Sequence, residues 1–344
     1  MDKNKNERIQ VLPPYKSGVD KRSLALLGLL LAMFIAQLLV SKSITSSKEA
    51  FTNYVIQMVL GVTSLGFMAS GALLTYVSGK RDLSLGSLMT LSAVVTCTLT
   101  IQMQKYSPWL AALVCVTVPI LLGVLCGAIN GFFVGWLDIN SFIATLATSY
   151  VFYAAMVLYN GGHVVVGQSV PVYDFIGKGR IFGIPVSILL MIASFLIFGF
   201  ILNRTVFGRY IYAVGGNGTA CRYSGIDPRK ITFITYVIGG MMAGFAGMFI
   251  SAYAGNIDSS VGAEKEFDVI VAVVLGGSQM RGGEGSMLGT FLGVLMLGML
   301  TFFYVQFNIS QAMQWVIRAL LFIGIVLLNN HFGKERSVKQ SDDQ

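Results

Sequence analysis

An aspartate stands two residues before a serine at two places in this 344-residue chain, Asp82 with Ser84 and Asp258 with Ser260. Two further acids, Glu266 and Asp268, follow the second pair at the edge of an apolar run. A carboxylate beside a hydroxyl could take part in acyl or phosphoryl transfer if a base stood near. The two histidines, His163 and His331, are far apart in loop-like sequence, and no Ser-His-Asp or metalloprotease pattern can be built on them. Cys97, Cys115, Cys126 and Cys221 lack metal-ligand spacing, and three lie in apolar runs where they read as small buried hydrophobes. Gly79-Lys80, Gly177-Lys178 and Gly333-Lys334 are never followed by Ser or Thr, so no phosphate-binding loop is present. Gly282-Gly283-Glu284-Gly285 lacks the strand before it that a dinucleotide site needs, and reads as close packing at a junction. No catalytic residue, metal or cofactor is expected. The acids are left with a pathway or a structural role.

Those two acid–serine pairs belong to a longer repeat. Gly71-x7-Gly79-x2-Asp82-x-Ser84-x-Gly86 recurs as Gly247-x7-Gly255-x2-Asp258-x-Ser260-x-Gly262 at an offset of 176. Phe132-Phe133 and Phe302-Phe303 continue it with the offset drifted to 170. Chance matching in a glycine-rich chain is the competing explanation. Asp82 follows Lys80 and Arg81, so a solvated local ion-pair cluster is its alternative reading. Carboxylates opening an apolar segment also suit a helix N-terminus. Asp268 lies deepest in apolar sequence, where a charge is costly unless paired.

The elements that must hold these residues are membrane spans. Hydrophobic residues make up 55% of the chain and charged ones 12%, with a mean hydropathy of +0.72. That is the balance of an all-α polytopic membrane protein. Its 39 glycines suit helices packed at close range. About ten spans can be marked, near 24–40, 52–77, 85–103, 109–136, 142–159, 183–203, 231–254, 266–277, 286–306 and 311–329. The eighth is too short for a full crossing, which suggests a broken span. The first has the basic flank of a signal peptide but no small-residue cleavage site, so it reads as retained. Residues 1–22 and 331–344 form polar tails, and 23–330 one transmembrane domain.

Lysine and arginine set the orientation. With the N-terminus inside, 17 of the 24 fall in cytoplasmic segments, 6 fall outside and Arg318 lies within the last span. Both termini are then cytoplasmic. The net charge of +8 is thus spread by topology, and no nucleic-acid partner is expected. Trp109, Trp136 and Trp315 sit near span ends, as an interfacial belt would have them. In this topology the first copy of the repeat lies at the cytoplasmic end and the second at the outer end, the pattern of an inverted repeat.

One cytoplasmic loop is unusually specific. Between Arg204 and Lys230 the chain reads Phe207-Gly208-Arg209-Tyr210, then Tyr212 to Asn217, then Ser224-Gly225-Ile226-Asp227-Pro228. A short helix is predicted over Asn217, Gly218, Thr219, Ala220, Cys221, Arg222, Tyr223, Ser224, Gly225 and Ile226. Asn217 would cap its start and Gly225 would end it in the left-handed conformation. Asp227-Pro228 would open the next helix. Cys221, mid-way along, is expected on the face that a partner covers.

This loop resembles the coupling loop of the ribose-type permeases of ABC importers, within the branched-chain amino acid/ribose permease superfamily. Further stretches fit the same family over roughly residues 50–329. They are Asp82-Leu83-Ser84-Leu85-Gly86-Ser87, Ser141 to Leu146, Glu266-Phe267-Asp268, Ile270 to Gly277, and Gly282 to Ser286. Lys80-Arg81 depart from the small or apolar residues usual before the acid, and Ala147 stands where glycine is usual. The resemblance implies a type II importer-like, non-catalytic membrane subunit that moves a monosaccharide or related small polar solute. It implies two separate ABC ATPase subunits on the 217–226 helix, an extracytoplasmic solute-binding protein, and a second, identical or related permease copy. The setting implied is the bilayer of a bacterial cytoplasmic membrane. The alternative is an ion- or proton-coupled secondary transporter, for which Asp268 and Arg318 are the candidate intramembrane charges.

Overall fold

The structure, a computed structural model, describes residues 21–40, 47–166, 170–320 and 323–324. The first helices are α1 (Lys21–Val40), α2 (Lys48–Gly61), α3 (Thr63–Val77), α4 (Leu85–Gln104), α5 (Pro108–Gly135) and α6 (Ser141–Asn160). Then come α7 (Pro171–Lys178), α8 (Val186–Arg204), α9 (Val206–Tyr223), α10 (Pro228–Ala254), α11 (Lys265–Leu275) and α12 (Met287–Gln306). Residues 311–320 are helical as well. Strands are minimal. β1 (Val165–Val166) pairs antiparallel with β4 (Asn256–Ile257), and β2 (Arg180–Ile181) forms a hairpin with β3 (Ile184–Pro185).

Among the described residues, six helices are long and apolar enough to cross a membrane, namely α4, α5, α6, α8, α10 and α12. A seventh crossing is available if α2 and α3 count as one span bent by 46°. The expected first span carries a shorter apolar helical stretch, Leu26–Leu38. Part of the expected tenth, 311–329, lies outside the described residues, as do 1–20 and 325–344. The eighth is short, as its sequence predicted: α11 has 11 residues, which at 1.5 Å per residue reach about half of a ~30 Å hydrocarbon core.

Helix α10 is the centre of the bundle, packed against α3, α4 and α5. Its contact with α5 is made through backbone. Gly123, Gly127, Gly131 and Gly135 fall every fourth residue on one face of α5. A Cβ on Gly131 would come within 3.0 Å of the Phe233 carbonyl oxygen, and one on Gly135 within 2.9 Å of that of Arg229. Small residues at this spacing let two helices touch along a continuous seam. On the other side Phe67 of α3 stacks on Phe249 of α10 with ring centroids 4.5 Å apart. Large apolar side chains face outward instead, including Leu121 and Leu125 on α5, Tyr150 and Val151 on α6, and Leu196 and Phe200 on α8. Large apolar residues thus occur both inside and outside, as lipid allows, since it solvates the exterior as well as a core would. Trp109 and Trp136, both exposed, stand at the two ends of α5.

Candidate functional site

The first acid–serine corner lies between α3 and α4. Gly79 turns the chain with φ +81°, and Asp82, only 2% exposed, then folds its carboxylate back on the chain. Asp82 Oδ1 accepts from the Ser84 amide at 2.9 Å and from the Ser84 hydroxyl at 2.6 Å. The Ser84 oxygen accepts in turn from Asn130 Nδ2 at 2.7 Å, and Asn130 Oδ1 from the Thr148 hydroxyl at 2.6 Å. Thr145 accepts from the Leu83 amide at 3.0 Å, and Tyr236 donates to the Arg81 carbonyl at 2.5 Å. The solvated ion-pair reading of Asp82 is therefore wrong. Arg81 donates to the Met280 carbonyl at 2.8 Å, and among the described residues Asp82 forms no ion pair. A carboxylate this buried is tolerable only with its hydrogen bonds supplied, and the network from α5, α6 and α10 secures the groups around it. Thr145 belongs to the Ser141 to Leu146 stretch that carries the family resemblance, whereas Asn130, Thr148 and Tyr236 stand in no such motif. Asn130, a lone amide in a 28-residue apolar helix, was the available signal.

The second corner, after α10, repeats the local geometry. Gly255 has φ +76°, and Asp258 Oδ1 accepts from the Ser260 amide and hydroxyl, each at 2.6 Å. This corner is exposed, and the Ser260 bonds hold the Asp258 carboxyl below its usual range. The Gly79 turn lies beside Gly215 and Arg281, and the segment after Gly255 pairs with Val165 of β1, yet the two copies meet farther along. Gly86 and Gly262, equivalent positions of the two copies, touch: each occupies the space where the other's Cβ would go. The Glu266 carboxylate fills the rest of the gap beside Gly86. Asp82, Ser84 and Glu266 are thus brought to one region, while Asp258 and Ser260 stay on a rim.

Asp268 is elsewhere. Its Oδ2 lies 3.3 Å from Lys265 Nζ and 3.5 Å from Arg318 Nη1. The two candidate intramembrane charges are paired with each other, which is what burial of either requires.

The 204–230 segment is two helices. The first runs over 206–216, started by the Thr205 hydroxyl accepting from the Gly208 amide at 3.2 Å. Asn217 breaks it with φ −156° and ψ 93°, then caps the second by accepting from the Ala220 amide at 2.9 Å. Gly225 ends it at φ +79°, and Asp227 caps α10 through the Arg229 amide at 3.0 Å. Every cap predicted from sequence is present, but the helix before Asn217 was not anticipated. Cys221 corrects a second expectation. It is 5% exposed and packed into the chain's own core, whereas Tyr223 is 90% exposed. The face free for a partner carries Thr219, Ala220, Arg222, Tyr223 and Ser224.

Behind the Asn217 break, three chain segments meet backbone on backbone. The Gly283 amide donates to the Val77 carbonyl at 2.8 Å, closing the end of α3 onto the loop between α11 and α12. Gly215 lies against both partners: a Cβ there would overlap the Val77 oxygen and sit 2.5 Å from the Gly283 nitrogen. Tyr212 donates to the Gly285 carbonyl at 2.8 Å and ties the same pieces from one turn earlier. The 206–216 helix therefore touches the end of α3 and the α11–α12 loop through backbone at Gly215. Next to this joint the loops carrying Lys80, Asp138 and Arg281 and the helix carrying Arg222 line a cavity of about 420 Å³. Segments that charge counting assigned to one side of the membrane thus share one end of the bundle.

Among known proteins, the chain is 34% identical over 306 residues to the ribose import permease protein RbsC of Escherichia coli strain K12, covering 88% of this chain and 92% of that one. It is 31% identical to the RbsC of Bacillus subtilis strain 168 with the same coverage. With the L-arabinose ABC transporter permease protein AraH of Azospirillum brasilense it shares 30% identity over 81% of this chain and 80% of that one. No solved structure matches. The family model described as the branched-chain amino acid transport system permease component matches residues 54–326, most of the chain and both corners, and the chain belongs to that family.

Proposed function

We propose that this chain is the membrane-spanning, non-catalytic subunit of an ATP-driven ABC importer for a monosaccharide or related small polar solute. The observation that carries this reading is the capped helix over 218–223. It projects Tyr223 and its neighbours from the basic end of the bundle while its inner face, through Cys221, is fixed to the core. A docking element needs both properties, an exposed face for the ATPase and a rigid attachment that transmits force. On binding ATP the ATPases would close and push this helix. The Gly215–Val77–Gly283 joint would carry the push to α3 and the α11–α12 loop, and so to the region where Gly86 meets Gly262.

The finer architecture is part of the same proposal: ten spans, both termini cytoplasmic, an inverted repeat, a second permease copy, and an extracytoplasmic binding protein that supplies most of the selectivity. The matching Gly–Asp–Ser–Gly corners and the Gly86–Gly262 contact support the repeat. The membrane would be the bacterial cytoplasmic one. The Asp268–Arg318–Lys265 cluster favours packing over ion coupling, since its single carboxylate is already paired with two cations. Copurification with an ATPase subunit, followed by sugar uptake into proteoliposomes with ATP on the cytoplasmic side, tests the reading. Uptake driven by a proton or sodium gradient with no ATPase present would replace it with the secondary-transporter reading.

A further inference from the structure

The cavity beside the Asn217 break is built for an anion. Lys80, Arg222, Arg229 and Arg281 line it, against a single acid, Asp138. None of these five takes part in an ion pair among the described residues. Four cations and one carboxylate leave three net positive charges around about 420 Å³ of space. Like charges gathered in one concavity repel each other and raise the local anion concentration. The cations come from four separate places: the α3–α4 turn, the 218–223 helix, the start of α10 and the α11–α12 loop. Membrane topology accounts for their sharing one end of the bundle, and their convergence on one concavity is the additional observation. Lys80 and Arg81 are consecutive cations before Asp82. Arg81 is used structurally, on the Met280 carbonyl, and Lys80 is left to the cavity.

We propose that this cavity binds a phosphate monoester, with a phosphorylated small sugar as the kind of solute its volume admits. A phosphate monoester carries about −1.5 to −2 charges near pH 7 and three acceptor oxygens, a match for several forked or ammonium donors. A phospholipid diester carries about one charge, and its chains need an apolar groove. Here Thr219, Thr232 and Ser78 make the wall polar. A bound anion would tie Arg222 of the coupling helix to Lys80 and Arg281 of the body. The binding itself does not depend on the transport reading; only its effect on coupling does.

The test uses the full chain in phosphatidylcholine nanodiscs, titrated calorimetrically with ribose 5-phosphate, with inorganic phosphate and with ribose. Ribose 5-phosphate binds saturably, inorganic phosphate competes with it, and ribose gives no heat. Lys80→Gln and Arg281→Gln each weaken binding roughly tenfold, the loss of one charged hydrogen bond. Lys178→Gln, at the other end of the bundle, leaves it unchanged. Monodisperse gel filtration of each variant confirms that it folds. Absence of saturable binding to the parent protein overturns the site, and equal weakening by Lys178→Gln reduces it to diffuse surface charge. Binding that disappears when phosphatidylglycerol is included in the disc assigns the cavity to a lipid headgroup and overturns the soluble monoester.

Discussion

Gly215→Ala places one methyl group into the joint behind the coupling helix, and the structure fixes what it must displace. The new Cβ would overlap the Val77 carbonyl oxygen and lie 2.5 Å from the Gly283 nitrogen, where carbon normally needs well over 3 Å. Both neighbours are backbone, so no rotamer change can relieve the clash. Overpacking of this kind costs about 1–3 kcal/mol. Prying Val77 from Gly283 also removes a 2.8 Å hydrogen bond, worth about 0.5–1.5 kcal/mol. Against this, Ala is favoured over Gly in a helix by up to about 1 kcal/mol. The net loss comes to roughly 0.5–3.5 kcal/mol. Gly218→Ala is the control, three residues on, where a Cβ would meet only Pro228 atoms at 3.9 Å. That variant should stay within about 0.5 kcal/mol of the parent. Thermal unfolding followed by gel filtration in detergent ranks the three proteins. Because the proposed mechanism has the joint carry the push, Gly215→Ala should lower transport per ATP hydrolysed in the reconstituted complex. Equal stability and equal coupling for both variants would refute the joint.

Gly79→Val and Gly255→Val both force a side chain into positive φ, costing about 1–2 kcal/mol, and Gly79→Val should be worse because Arg281's oxygen lies 3.3 Å away; membrane abundance of each variant reads this out, and parent-level abundance for both would leave the repeat as coincidence. Asp82→Asn keeps an acceptor for the Ser84 amide and should assemble, whereas Asp82→Ala strands that buried donor at about 1–3 kcal/mol; normal assembly of the Ala variant would remove Asp82 from the network. A cysteine at Tyr223 should cross-link to a cysteine in the ATPase groove while native Cys221 should not, and the reverse result would mean the helix docks with its other face. An impermeant thiol reagent on intact cells should label a cysteine at 162 and spare one at 217, and labelling at 217 would invert the topology.

Apolar length was the most legible property, because it is additive along the chain: α4, α5, α6, α8, α10 and α12 all fall within predicted spans or a few residues of them. Caps were equally legible, since Asn217, Gly225 and Asp227 act on amides two or three residues away or on their own dihedrals. The helix over 206–216 was hidden by Gly208, Gly215 and Gly216, whose low helix propensity is overridden by packing on α3, α8 and α10. The inward face of Cys221 and the contact of Gly86 with Gly262 depend on residues far away in sequence, which no local pattern encodes. The bend at Val62 follows no proline and so gave no local warning. Asn130 was visible in α5, but its partners Ser84 and Thr148 come from two other helical segments.

The two acid–serine hooks are the same bonds in different surroundings, and this gives the protein an internal clock. The Ser84 and Ser260 amides each donate to a carboxylate two residues back, one in a buried corner and one on an open rim. Once each rate is divided by the intrinsic rate set by its preceding residue, Leu83 or Ser259, the ratio of their deuterium uptake rates measures how often the buried corner opens to solvent. A rise in the Ser84 rate at constant Ser260 rate would time the opening of the inner corner within a working cycle, with the outer copy serving as the reference in the same chain.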